Sequence, residues 1–93
     1  MTTNRITQEH IDKIVEQTHF VADTYFDKVT VVLAKLPCGF VITEASGAVD
    51  KANYDEQIGI EICKQRIINK IWELEGYHLS KNLTDMSAKE ETE

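Results

Sequence analysis

Between Val49 and Leu79 apolar residues recur on two sides of a single helical pattern, and no other feature limits the possible folds as tightly. At about 100° per residue, Ile60, Cys63, Ile67, Ile71 and Leu74 share one narrow arc. Tyr54, Ile58, Ile62 and Trp72 lie roughly opposite, with Ile68 at their margin. An ordinary surface helix has one apolar stripe. Two stripes require either a small domain wrapped around the helix or a second copy of the chain against one face. Asp50 and Asn53 are candidate N-caps, because short polar side chains accept from the unpaired amides of a first turn. Asp55 and Glu56 suit the positive end of the helix dipole. The helix is therefore predicted to start between Asp50 and Tyr54. It is predicted to end or bend near Gly76, where glycine is costly, with Tyr77–Asn82 either continuing it or turning.

Upstream, Thr7 reads as an N-cap followed by Glu9, and Ile11, Ile14, Val15, Thr18, Val21, Ala22 and Tyr25 recur at helical spacing. This predicts a first helix from Thr7 to about Ala22, with His19 at its surface or end. Val29–Leu36 and Gly39–Ala45 are rich in β-branched residues, and Leu36-Pro37-Cys38-Gly39 between them punctuates a turn, so a β-hairpin is expected. Val29, Val31 and Leu33 project to one face and Val32 to the other; Phe40 and Ile42 likewise oppose Val41. Both faces of the ribbon should then be at least partly covered. A two-stranded ribbon is marginal alone and its edges invite pairing, which argues for a homodimer or higher oligomer. The expected class is α+β: an N-terminal helix, a hairpin and a long C-terminal helix, completed by self-association. One domain is assigned to residues 1–82 and an acidic flexible tail to residues 83–93.

Composition excludes several classes. The net charge of −6, from 10 Lys and Arg against 16 Asp and Glu, is wrong for a broad nucleic-acid surface, where phosphate neutralisation dominates affinity. No apolar run approaches the ~20 residues of a membrane span. Cys38 and Cys63 form no CxxC pair, and His10, His19 and His78 show no ligand spacing, so neither a metal nor another cofactor is expected. Two such cysteines fit free thiols in a reducing compartment.

Four short motifs, GFVIT at Gly39–Thr43, VDKANYD at Val49–Asp55, the Ile58-Gly59 pair and KIWELEGY at Lys70–Tyr77, point further. Together they resemble a family of small tailed-bacteriophage proteins known by the gene forty-nine product of an N-four-type coliphage and the gene sixty-six product of a Shigella phage. The likeness covers about Ile11 to Leu79. Glu44-Ala45 stands where the family pattern usually has Gly-Glu, and Lys51 where Pro is common. The resemblance implies a phage origin and action in the cytoplasm of an infected bacterial host.

Arg66 and Lys70 project from one stripe between the two apolar arcs, as solubilising groups with nearby acids or as the basic edge of a cleft. Tyr54, Asn53, Thr43 and Phe40 bring an aromatic face, an amide and a hydroxyl to the same region. Stacking, a few polar contacts and one or two cations suit a nucleobase with phosphates. The candidate ligand-binding set is thus Phe40, Thr43, Asn53, Tyr54, Arg66 and Lys70. Ser46-Gly47-Ala48 is a tight connection or an anion site at a helix start. Trp72 and Tyr77 are expected in the core, Gly59 at a close helix contact, and Glu73 and Glu75 in solvent. No nucleophile with an adjacent base is visible, so no catalytic residue and no enzyme activity are assigned. By analogy with small phage proteins that hold a host signal without transforming it, the expected function is sequestration of a cyclic nucleotide or cyclic ADP-ribose type signal, an anti-defence role. The alternative is an acidic inhibitor that covers a host nucleic-acid enzyme.

Overall fold

The computed structural model describes the backbone of residues 5–91 and the side chains of residues 5–85. The order of elements is α1 (Gln8–Gln17), β1 (His19–Tyr25), β2 (Val29–Lys35), β3 (Val41–Gly47), a 3-10 turn (Lys51–Asn53) and α2 (Glu56–Glu91). The strands form one antiparallel sheet in sequence order, with Val21 opposite Leu33 and Leu33 opposite Thr43. An α+β architecture with an N-terminal helix and a long C-terminal helix is therefore present, and the sheet has three strands where two were expected.

Thr7 caps α1 as predicted, its hydroxyl accepting from the His10 amide at 3.2 Å. The helix then stops at Gln17, short of the predicted Ala22. Thr18 closes it: its hydroxyl donates to the Ile14 carbonyl at 2.6 Å and its amide to the Val15 carbonyl at 3.1 Å. The next seven residues, HFVADTY, satisfy a two-residue period as well as the helical one, and pairing with β2 decides between them. The β1–β2 turn carries two residues in the left-handed region, Phe26 (φ 55°) and Asp27 (φ 54°), and the Phe26 ring is 87% exposed. At the β2–β3 turn the expected geometry holds, with the Gly39 amide donating to the Leu36 carbonyl at 2.8 Å and Gly39 at φ 95°.

Side chains alternate across the sheet. Thr30, Val32, Ala34 and Ile42 face α2 and are buried with Leu36, Ile11 of α1, and Cys63, Ile67 and Ile71 of α2. Trp72, Ile68 and Phe20 pack around this core. On the other face Val21, Tyr25, Leu33 and Val41 are between 41% and 50% exposed, so among the described residues only one side of the sheet is covered. Tyr77 is 68% exposed, not in the core.

The long helix starts later than predicted. Asp50 caps the 3-10 turn through the Ala52 amide at 3.0 Å. The cap of α2 is Asp55, which accepts from the Gln57 amide at 3.0 Å and the Ile58 amide at 3.3 Å. Nor does α2 end near Gly76; it continues through residues 77–91. A Cβ at Gly76 would meet nothing within 4 Å, so no packing demand forces a break there. Gly59 is the opposite case. A Cβ at that position would lie 2.5 Å from Thr30 Oγ1 and 3.0 Å from Thr30 Cβ, which is the close helix contact that the sequence implied.

The glycines and the thiols each carry a measurable consequence. Gly59→Ala should lower stability in urea unfolding, because overpacking costs about 1–3 kcal/mol and outweighs the ~1 kcal/mol gain in helix propensity, whereas Gly76→Ala should raise stability by up to about 1 kcal/mol. Cys63 is fully buried and burial pushes its thiol above the ordinary value, while Cys38 is exposed. Ellman titration of the native chain should therefore count one fast thiol, and the second only after unfolding. The folded thiol keeps its proton where the unfolded one has lost it. The Cys63 contribution to stability is thus full at neutral pH and falls as pH rises past the ordinary thiol range, a trend that Cys63→Ala should flatten.

Candidate functional site

The flank where α2 runs along β3 gathers most of the residues singled out for binding. Two bonds fix the backbone there: the Leu36 amide donates to Phe40 O at 2.8 Å and the Ala48 amide to Lys28 O at 2.9 Å. In an antiparallel ladder of that register the even residues of β3 bond to β2, and Val41, Thr43, Ala45 and Gly47 turn their backbone groups to the outer edge. The Arg66 guanidinium comes down from α2 to donate to the Ala45 carbonyl at 3.0 Å. One turn further on, the Lys70 ammonium pairs with the Glu44 carboxylate, which is only 14% exposed. Both cations of the predicted stripe thus stitch α2 to the sheet edge. Arg66 remains exposed and keeps N–H groups beyond the one spent on Ala45.

Tyr54 is held by a chain of hydroxyls. Its phenol lies 2.6 Å from Thr30 Oγ1 and 2.9 Å from Thr24 Oγ1, and Thr24 Oγ1 donates to Glu56 Oε2 at 3.0 Å. A carboxylate only accepts and each hydroxyl has one proton, so the direction is set: Thr30 donates to Tyr54, Tyr54 to Thr24, and Thr24 to Glu56. The relay pins the start of α2 to β1 and β2. Beside it is an open cavity of about 350 Å³, walled by Gly47 and Ala48 at the end of β3, Asn53 and Tyr54, and Ile58 and Ile62 of α2. Ile58 is 54% and Ile62 38% exposed, so part of the second apolar arc faces solvent in one chain.

A larger cavity of about 620 Å³ lies at the other end, between α1, the β2–β3 turn and α2. Ile14, Leu36, Phe40 and Leu74 are among its walls, and His10 Nε2 meets Glu75 Oε1 across it at 3.0 Å. The sequence reading missed it, leaving Glu75 to solvent and His10 unassigned. The only signal was that residues 71, 74, 75, 78, 79 and 82 keep one helical face beyond the point where α2 was expected to end.

The six candidate residues are therefore distributed. Asn53, Tyr54, Arg66 and Lys70 follow one line along the α2–β3 flank. Phe40 belongs to the larger cavity, and Thr43 points to the open face of the sheet, so neither joins that line within one chain. Ser46 and Gly47 belong to β3 and not to a loop, and the helix start beyond them is capped by Asp55. Among the described residues no group of three His, Cys, Asp or Glu side chains is placed to hold a metal ion, and no helix is long and apolar enough to cross a membrane.

No curated protein and no solved structure matches the chain. Residues 6–83 match the profile described as Phage protein (N4 Gp49/phage Sf6 gene 66) family, a span that contains every motif noted above and all the described walls of both cavities. With most of its length inside that match, the chain belongs to the N4 Gp49/phage Sf6 gene 66 family of phage proteins.

Proposed function

We propose that this phage protein acts by binding rather than by catalysis, sequestering a nucleotide-type host defence signal in the cytoplasm of the infected bacterium. The carrying observation is the line of groups on the α2–β3 flank: the Asn53 amide, the half-buried Tyr54 ring, the exposed apolar pair Ile58 and Ile62, and the Arg66 guanidinium one turn beyond. An amide and an aromatic edge suit a base, and a guanidinium with free N–H groups suits a phosphate. The cavity is a half-site, open on the side of Ile58 and Ile62. A second copy laid on those residues closes it and removes apolar surface from water, which makes the assembly part of the binding site. Lys70 and Glu44 hold the sheet edge against α2 and keep Arg66 in place.

The test is a panel of cyclic dinucleotides, cyclic mononucleotides and cyclic ADP-ribose species followed by thermal unfolding. One class should raise the melting temperature, corresponding to about 2.7 kcal/mol at a hundredfold excess over Kd. The ligand should be recovered intact by mass spectrometry. Arg66→Ala should abolish the rise with the fold retained, and Ile62→Lys should both lower the sedimenting mass and abolish binding. A panel that leaves the melting temperature unmoved ends the nucleotide reading, and a ligand returned altered ends the non-catalytic one.

A further inference from the structure

The face of the sheet turned away from α2 is uncovered among the described residues, and its composition differs from the rest of the chain. The strand register sets its side chains in rows, with His19 beside Lys35, Val21 beside Leu33, and Asp23 beside Val31. Val41 and Tyr25 lie at its two ends, each 50% exposed. β3 adds no charged residue to this face, because Glu44 points to the α2 side. Apolar side chains therefore fill the centre, and the only formal charges are one acid, Asp23, and one base, Lys35. The net charge of −6 lies wholly elsewhere on the chain, so here two copies can meet without the repulsion that opposes contact between their acidic surfaces.

The two charges are placed to find each other across such a contact and not within one chain. They stand two rows and one strand apart, about 14 Å between backbones. Among the described residues neither side chain has a hydrogen-bond or ion-pair partner. Sheets stacked face to face lie about 10 Å apart with their strands within about 30° of each other. A two-fold axis running along β2 would set Lys35 opposite Lys35. An axis across the strands at the Leu33 row reverses the order instead. It sets Asp23 of each copy over the His19–Lys35 row of the other, with Val21 and Leu33 meeting their own counterparts in the middle. We infer that the open face of the sheet is the contact surface for a second copy of this chain, stacked with its strands antiparallel and locked by two Asp23–Lys35 pairs. Three seven-residue strands make a face of about 14 by 23 Å. Two such faces, with the relief of their side chains, bury on the order of 1,000 Å², the small end of specific interfaces, so the pair dissociates on dilution. Ile58 and Ile62 belong to the α2 flank, so this contact is separate from the one that closes the smaller cavity and does not depend on the nucleotide reading.

The test uses the full chain carrying Ile62→Lys, which removes the flank contact, in analytical ultracentrifugation from micromolar to near-millimolar concentration. This chain should pass from one copy to two as concentration rises. Adding Leu33→Lys, at a position already 41% exposed, should leave single chains throughout with the circular dichroism spectrum retained. Asp23→Lys alone and Lys35→Asp alone should each raise the dissociation constant about ten-fold or more at low salt, since each sets like charges opposite one another. The double variant Asp23→Lys with Lys35→Asp exchanges the charges and should return the constant to within about three-fold of its starting value, the coupling expected of residues in contact. An Ile62→Lys chain that stays single at every concentration overturns the proposal while leaving ligand binding by the unmodified chain to be judged on its own. So does pairing that survives Leu33→Lys, which would put the second copy on another surface, or a charge exchange that restores nothing.

Discussion

The contact of Gly59 with Thr30 is the point on which the rest of the architecture turns. Thr30 is fully buried on β2, and α2 can approach the sheet that closely only where it has no side chain. From that closest point Cys63, Ile67 and Ile71 follow at helical spacing across Val32, Ala34 and Ile42, so a single line of contact produces most of the core. Thr30 also holds Tyr54 through its hydroxyl and places its carbonyl 3.9 Å from the Cys63 sulfur. The N-terminal end of α2 is therefore fixed by polar and steric contacts in one place.

Further along, the helix is held differently at each step. Arg66 and Lys70 fasten it to β3 with charged groups at the surface, and beyond Ile71 the exposed pair His10–Glu75 ties it to α1. Exposed ion pairs contribute little, typically below about 1 kcal/mol. The tightness of the structure thus declines along α2, from a sterically set contact near Gly59 to the open larger cavity near Leu79. The two cavities occupy the two regimes. The smaller one sits beside the Thr30–Tyr54 contact, and the larger one is spanned by the His10–Glu75 pair at the surface.

Much of this was readable from the residues because it depends on local patterns. The Thr7 cap, the turn at Gly39, the buried arc of α2 and the close contact at Gly59 each follow from one side chain or one period. The failures were of another kind. HFVADTY fits helix and strand equally, and only the distant β2 decides between them. The start of α2 moved because Asp55 outcompetes Asp50 and Asn53 for the first turn, and Asp50 was taken up by a 3-10 turn. Gly76 looked like a terminator because its intrinsic cost is visible in the sequence, while the open space beside it is not. Of the candidate site, the line from Asn53 to Lys70 could be found because it lies on one helix and its flanking loop. Phe40 and Thr43 were drawn to it by proximity in the chain, and the pleat of β3 sends them elsewhere. The larger cavity was invisible because its walls come from three segments far apart in sequence.

Arg66 has one more consequence, for how large an assembly of this protein can grow. By occupying the Ala45 carbonyl, with Lys70 clamping Glu44 beside it, α2 blunts the β3 margin of the sheet, whereas among the described residues β1 has no comparable helix along it. Indefinite ribbons need two receptive margins per subunit. A unit with one can be joined strand to strand only once, after which the ladder is finished, so pairing at its edges cannot propagate into a fibre.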